Sequence, residues 1–220
     1  MDLTCQHTLD GYMTETIDTV ELVGGDIAFD LVNTASARRH GPFRERLLTY
    51  DDLVRWAERV ELLGSARARK LRSEAHARPA DAVAALDRIR ALRDAIYRVF
   101  SAIAFADEPA PEDLARIQAE AADAASRRRI VRGTDGQFQY EWPDSTELEQ
   151  LAWPVAVSAA DLLVSGDHAR IKECATDNCN WLFIDSSRNR SRRWCDMKDC
   201  GNRAKARRHY HRSRQSGGDS

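Results

Sequence analysis

Cys174 to Cys200 reads CATDNCNWLFIDSSRNRSRRWCDMKDC and holds four of the five cysteines in a chain of 220 residues. They fall in two C-x4-C pairs, Cys174/Cys179 and Cys195/Cys200, with fifteen residues between the pairs. Two short equal loops joined by a longer connector suit a tetrahedral ion. Each loop aims two thiolates at one point, and the connector brings the second pair back to it. Four sulfur ligands select zinc or an iron–sulfur centre. No second cysteine cluster or flavin motif favours electron transfer, so the expectation is one Zn2+. The competing arrangement is two disulfides in a secreted module. Cysteine fills all four coordination positions and leaves none for a reactive water, so the zinc is expected to be structural. A lobe of roughly 45 residues has too little core to fold without such a staple.

The chain then runs through Cys200-Gly201-Asn202-Arg203 into AKARRHYHRSR. Gly201 is expected in the left-handed backbone of a metal-binding turn, and Asn202 as the N-cap of the next helix. From Arg203 to about Arg214 the composition is helical. At about 100° per residue, Arg203, Arg207, Tyr210, His211 and Arg214 share one sector, and Lys205, Arg208 and Arg212 line the opposite one. With Asn202 they are expected nucleic-acid contacts, one sector facing phosphates and the other flanking them as the helix lies in or across a DNA groove. Upstream, the connector from Ser186 to Arg193 is basic and rich in hydroxyls. Arg188, Arg190, Arg192 and Arg193 are phosphate-binding groups by their chemistry. One or two of them are expected instead to balance the thiolates. Between Arg188 and Arg214 there are 11 basic residues against two acidic ones, Asp196 and Asp199. His168, His209 and His211 are alternative metal ligands that a complete cysteine quartet makes unnecessary. His211 fits better as a donor to phosphate or a base edge.

With these motifs the segment from about Ile171 to Arg214 resembles the CGNR zinc-finger domain, named for residues 200–203. Trp194 before Cys195 and the Ser/Arg-rich connector belong to the resemblance. Near the other end, Gly24-Gly25-Asp26-Ile27-Ala28-Phe29-Asp30-Leu31-Val32-Asn33-Thr34 resembles the opening of the ABATE domain, which commonly precedes this finger. The two resemblances cover roughly residues 17–214. They imply a stress-induced transcription regulator, and hence DNA binding.

Hydrophobic residues make up 43% of the chain and charged residues 31%, as in soluble globular proteins. No apolar run approaches the roughly 20 residues of a membrane helix. The opening MDLTCQHTLDGYMTET lacks a basic start and an apolar stretch, and does not read as an export signal. A reducing cytoplasm is the expected compartment, where cysteine quartets hold metal. Cys5 is expected to be an unpaired thiol. The net charge of −2 hides an asymmetry. Residues 165–220 hold 13 basic and 7 acidic residues, whereas residues 1–164 hold 20 and 28. A basic end on an acidic protein suggests a polyanion partner.

The fold class expected is mainly α with a small β component. Residues 1–16 read as a disordered leader, 17–165 as a helical domain, 168–214 as the zinc finger with its basic helix, and 215–220 as a disordered tail. Within the helical domain, Thr19 to Val23 reads as a short strand. Ile27 to Val32 fits either period and is assigned to a helix capped by Asp26. Leu53, Trp56, Val60 and Leu63 line one face of a helix capped by Thr49 or Asp51 and ended by Gly64. Further helices are expected over Ala66–Ala77, from Pro79 through Ile103, and from Pro111 to about Ala125. Arg129–Arg132 and Gln137–Trp142 read as a hairpin with Phe138, Tyr140 and Trp142 on a buried face. A last helix, capped near Ser145–Leu148, runs to about Leu163, and Pro154 within it implies a kink or an interrupted start. In the finger, Ile171–Glu173 and Trp181–Asp185 are expected to pair as strands.

Asp30 and Asn33 sit amid apolar residues and admit two readings. They form a small polar pocket for an effector, or they are side-chain caps that tie a buried turn. The second is preferred. For the chain as a whole, a zinc-finger DNA-binding regulator with a sensing or association domain is the leading function. A protein–protein adaptor and an RNA-binding protein are the alternatives. No nucleophile paired with a base, phosphate loop, Glu-flanked His pair or dinucleotide fingerprint suggests an enzyme.

Overall fold

The computed structural model describes residues 16–39, 41–176, 178–207 and 210. The leader up to residue 15, the tail, Cys5, Arg208, His209, His211, Arg212 and Arg214 lie outside the described residues.

The body is a set of six helices around α4. In chain order they are α1 (Ile27–Val32), α2 (Tyr50–Arg59), α3 (Ser65–Ala77), α4 (Pro79–Phe105), α5 (Pro111–Arg127) and α6 (Ala152–Ser165). Three antiparallel strand pairs join them: β1 (Ala35–Ser36) with β2 (Arg44–Glu45), β3 (Arg129–Arg132) with β4 (Phe138–Glu141), and β5 (Ile171–Glu173) with β6 (Leu182–Ile184). The fold is therefore mainly helical with a small β component. No described helix is long and apolar enough to cross a membrane.

Local chemistry sets the main elements. Thr49 and Asp52 close a reciprocal capping box at the start of α2. Pro79 and Pro111 occupy first-turn positions, where a missing N–H costs nothing. Along α4, Leu86, Ile89, Leu92, Ile96, Val99 and Phe100 recur at steps of three and four and are all buried. Phe29 of α1 meets Phe100 edge-on, with centroids 5.0 Å apart. Arg93, on the same helix, is buried but paired through both its terminal nitrogens with Glu45 of β2.

Three expectations are corrected. Thr19 to Val23 forms no strand: Thr19 and Val20 close a turn on the Thr16 carbonyl, and the residues from there to the Gly24–Gly25 bend pair with no strand among the described residues. Helix α2 stops at Arg59, where Val60 caps it and Glu61 takes a left-handed turn with φ 59°. The hairpin β3–β4 does not bury its aromatic face. Phe138 and Tyr140 are exposed, and only Trp142 seats itself, donating its indole N–H to the Ala124 carbonyl. The last helix has the interrupted start that Pro154 implies: Leu148–Leu151 form a tight 3-10 turn, and Pro154 falls in the first turn of α6.

The cysteine-bearing lobe shares the body's core. Ile171, Trp181, Leu182, Phe183 and the four cysteines belong to one continuous buried apolar cluster with α1, α2, α4 and α6.

Candidate metal centre and its basic surround

The stretch from Gly24 to Thr34 is the seam between body and lobe. Its glycines permit a close approach. A Cβ on Gly24 would lie 2.7 Å from the Phe29 Cβ and 2.8 Å from the Asp30 nitrogen. Asp26 caps α1 by accepting from the Ala28 N–H. Asp30 accepts from the Gly24 N–H, and the Gly24 carbonyl accepts from Ile184 of β6. Burial pushes the Asp30 carboxyl above its usual range, against the pull of that Gly24 bond. Asn33 is fully buried and spends its side chain on one backbone unit: it donates to the Leu182 carbonyl and accepts from the Leu182 N–H, each at 2.9 Å. Asp30 and Asn33 thus both bond to backbone, as side chains that tie a buried turn together do.

Residues just beyond Asn33 hold the first cysteine loop. Ala37 N–H donates to the Cys179 carbonyl at 3.0 Å. Trp181 donates its indole N–H to the Ala35 carbonyl at 3.2 Å. Within the lobe, Cys174 N–H donates to the Trp181 carbonyl and Ala175 N–H to the Arg193 carbonyl, closing the loop on both sides.

These bonds bring the four cysteines together. Cys174, Cys179, Cys195 and Cys200 are buried, and their sulfurs all lie within 4.8 Å of one another. Cys195 Sγ is 3.6 Å from Cys179 Sγ and 3.5 Å from Cys200 Sγ. A disulfide needs about 2.05 Å. A tetrahedral zinc with Zn–S near 2.3 Å places its sulfurs about 3.8 Å apart, close to what is seen. Without a cation the set conflicts with itself. Cys174 first, with Cys200 and then burial, pushes the Cys179 and Cys195 thiols up, Cys195 against an opposing pull from Cys179, while Cys179, Cys195 and Cys200 hold Cys174 down. Four buried thiolates at this distance need a divalent ion, and one zinc ion fits.

The second cysteine loop differs in detail from the sequence reading. Its helix begins early, as a wide turn over Met197–Gly201 with i-to-i+5 closure. Asp196 caps that turn by accepting from the Lys198 and Asp199 N–H groups. Asn202 is therefore inside the helix, which continues over 202–207, and its amide donates to the Lys198 carbonyl. Gly201 is not left-handed. It is buried, and a Cβ there would crowd the Met197 sulfur at 3.0 Å.

The expected nucleic-acid residues divide by role. Arg203 donates to Cys200 Sγ at 2.8 Å and to Asp199 at 3.0 Å, so it serves the metal cluster. Arg192 donates to the carbonyls of Trp194 and Cys195 and covers the Phe183 ring at 4.4 Å, so it ties the connector down. Arg190 pairs with Asp167. Arg188, Arg193, Lys205 and Arg207 are exposed, and the first three meet no carboxylate among the described residues. His168 is exposed on a 3-10 turn with its ring against the Leu162 carbonyl, away from the sulfurs.

The sequence reading missed three groups that hold the site: Asn180, Glu173 and Arg39. Asn180 stands left-handed at φ 61°, donates to Glu173 and accepts from the Arg39 N–H. Glu173, with a side chain only 3% exposed, also pairs with Arg39 and accepts from Ser101 of α4. A Glu directly before the first cysteine and an Asn after the second were the only local signals.

A family model described as "Putative stress-induced transcription regulator" (ABATE) matches residues 25–166, and the CGNR zinc finger model matches residues 170–213. The chain belongs to the ABATE family. No match is found among curated proteins. The ABATE match opens at Gly25, inside the seam, and the CGNR match opens beside β5. In this ABATE protein the conformational demands of the Gly24–Asn33 stretch are met by the finger itself, through Leu182 and Ile184.

Proposed function

We propose that the chain is a non-catalytic, zinc-stabilised DNA-binding regulator of the cytoplasm. The CGNR lobe grips duplex phosphates, and the ABATE body receives a signal or mediates association. One observation carries the reading, the group of exposed cations in the cysteine-bearing lobe. In the body Arg38, Arg55, Arg72, Arg88, Arg93, Arg98 and Arg127 each pair with a carboxylate, whereas Arg69 and Arg116 are exposed and pair with none among the described residues. In the lobe Arg188, Arg193 and Lys205 are exposed without such a partner among the described residues. Exposed cations on a metal-fixed frame suit phosphate binding, which supplies most non-specific affinity for DNA.

The test is fluorescence anisotropy of the zinc-loaded chain on a random-sequence duplex over a range of salt. Binding should weaken steeply with salt. Arg188→Ala with Lys205→Ala should make the slope shallower by about 0.9 for each phosphate that is no longer neutralised. Preference for single strands would favour the RNA alternative. No affinity for any nucleic acid in dilute buffer would leave the adaptor reading.

A further inference from the structure

Between β5 and the end of the connector lies a cleft of about 290 Å3. Lys172, Arg190, Arg192 and Arg193 line it, and Ser191 adds a hydroxyl. Strand alternation explains Lys172. Ile171 and Glu173 turn toward the body, where Ile171 is buried and Glu173 meets Ser101, so Lys172 between them turns outward. Its cross-strand partner is Phe183, whose ring lies under the Arg192 guanidinium. Because Arg192 is anchored on the Trp194 and Cys195 carbonyls, one wall of the cleft is a fixed cation.

The acids nearby are already engaged. Glu173 lines the cleft but is bonded by Asn180, Ser101 and Arg39. Asp185 accepts from the N–H groups of Ser187 and Arg192, and Asp167 pairs with Arg170 and Arg190. Arg203 stands on Cys200, where it offsets thiolate charge. Lys172 and Arg193 meet no carboxylate at ion-pair distance among the described residues. The cleft therefore keeps a positive field, which its walls focus.

We propose that this cleft is an anion pocket that seats one phosphate group between Lys172 and Arg193, with the Ser191 hydroxyl as a further donor. Its volume of about 290 Å3 falls just below the roughly 300–1,000 Å3 of drug-sized sites, so a single phosphate fits better than a whole nucleotide. Taking that phosphate from a duplex backbone rests on the DNA-binding reading above. The same chemistry accepts a free phosphate.

The experiment uses the zinc-loaded full chain and two double variants, Lys172→Ala with Arg193→Ala and Lys172→Gln with Arg193→Gln. Each is titrated with a random duplex across salt by anisotropy, and with inorganic pyrophosphate by calorimetry. Zinc content is measured alongside. A drop in duplex affinity of about tenfold or more, with a salt slope shallower by about one, supports the pocket and assigns its phosphate to the duplex. Saturable pyrophosphate binding that both variants lose supports the pocket with a free-anion source. If the wild type then ignores duplex, the DNA reading falls and the pocket stands. Zinc-replete variants with wild-type affinity for both probes overturn the pocket. Loss of zinc in both pairs overturns it too, since the side chains would then be structural.

Discussion

Asn33 and Leu182, 149 residues apart, exchange two hydrogen bonds of 2.9 Å inside the protein. The amide of one acts as the missing strand partner for the other's backbone. Asn33→Ala leaves a buried N–H and a buried carbonyl unpaired, each costing about 1–3 kcal/mol. A loss of several kcal/mol should appear as a drop of roughly 5 °C or more in Tm, at about 2–4 °C per kcal/mol for a chain of this size. Thermal denaturation of the zinc-loaded variant checks it. An unchanged midpoint would mean that water replaces the amide at no cost.

Arg203 is expected to affect metal before it affects nucleic acid. Its guanidinium sits 2.8 Å from Cys200 Sγ. Arg203→Ala should retain one zinc per chain but lose about 10–100-fold in metal affinity, the usual effect of removing an outer-shell partner. Competition against a chromophoric chelator measures this. Cys200→Ser, by contrast, should abolish stoichiometric zinc. Equal metal affinity in Arg203→Ala and wild type would return Arg203 to the surface cations.

Removing zinc should destabilise the whole molecule, not the lobe alone. The cysteines and Trp181, Leu182 and Phe183 lie in the same apolar cluster as Phe29, Trp56 and Phe100. A strong chelator should therefore lower the midpoint of helix loss across α1 to α6, with no separate early step confined to the lobe. Circular dichroism at 222 nm, followed during heating with and without metal, tests this. Two well-separated transitions in the holo protein would refute the shared core.

Acid should weaken the body through Glu45 and Asp94. Burial opposes the charge on Glu45, but the hydrogen bonds and charge of Arg93 outweigh it and hold the carboxyl below its usual range. The same balance, with Arg93 and Arg38 opposing burial, lowers Asp94. A carboxyl whose folded pKa is depressed contributes fully above its unfolded value, near 4, and that contribution is lost as pH falls through the folded value. Glu45→Gln should cost about 3 kcal/mol near neutrality, since buried Arg93 loses its two-point partner and keeps only Asp94 as counter-charge. The variant should also lose less stability than wild type between pH 5 and pH 3 (about the range over which carboxylates titrate). Urea midpoints across that range give the comparison, and zinc release in acid affects both chains alike.

What the sequence discloses is the chemistry that is local. The spacing of four cysteines locates the metal, the Thr49–Asp52 box starts α2, and the apolar recurrence from Leu86 to Phe100 marks the buried stripe of α4. Side-chain partners distant along the chain leave no such trace. Nothing in the spacing of Asn33 announces Leu182, and nothing in an arginine-rich connector says that Arg192 and Arg203 serve the lobe while Arg188 faces solvent. The hairpin misled for a related reason. Alternation of Phe138, Tyr140 and Trp142 fixes which side chains share a face, but a face is buried only where another layer covers it. Gly201 and Asn202 misled because the wide turn over Met197–Gly201 moves the helix start upstream, and a wide turn has no signature in composition.

Ala37 fastening Cys179, and Trp181 fastening Ala35, make the finger a poor candidate for transplantation. Grafted onto a foreign partner, it would carry an exposed Leu182 backbone unit and an uncovered Trp181, and would aggregate or shed its ion. Residues 24–39 and 171–203 therefore have to be moved together as one cassette, although some 130 positions stand between them in the chain.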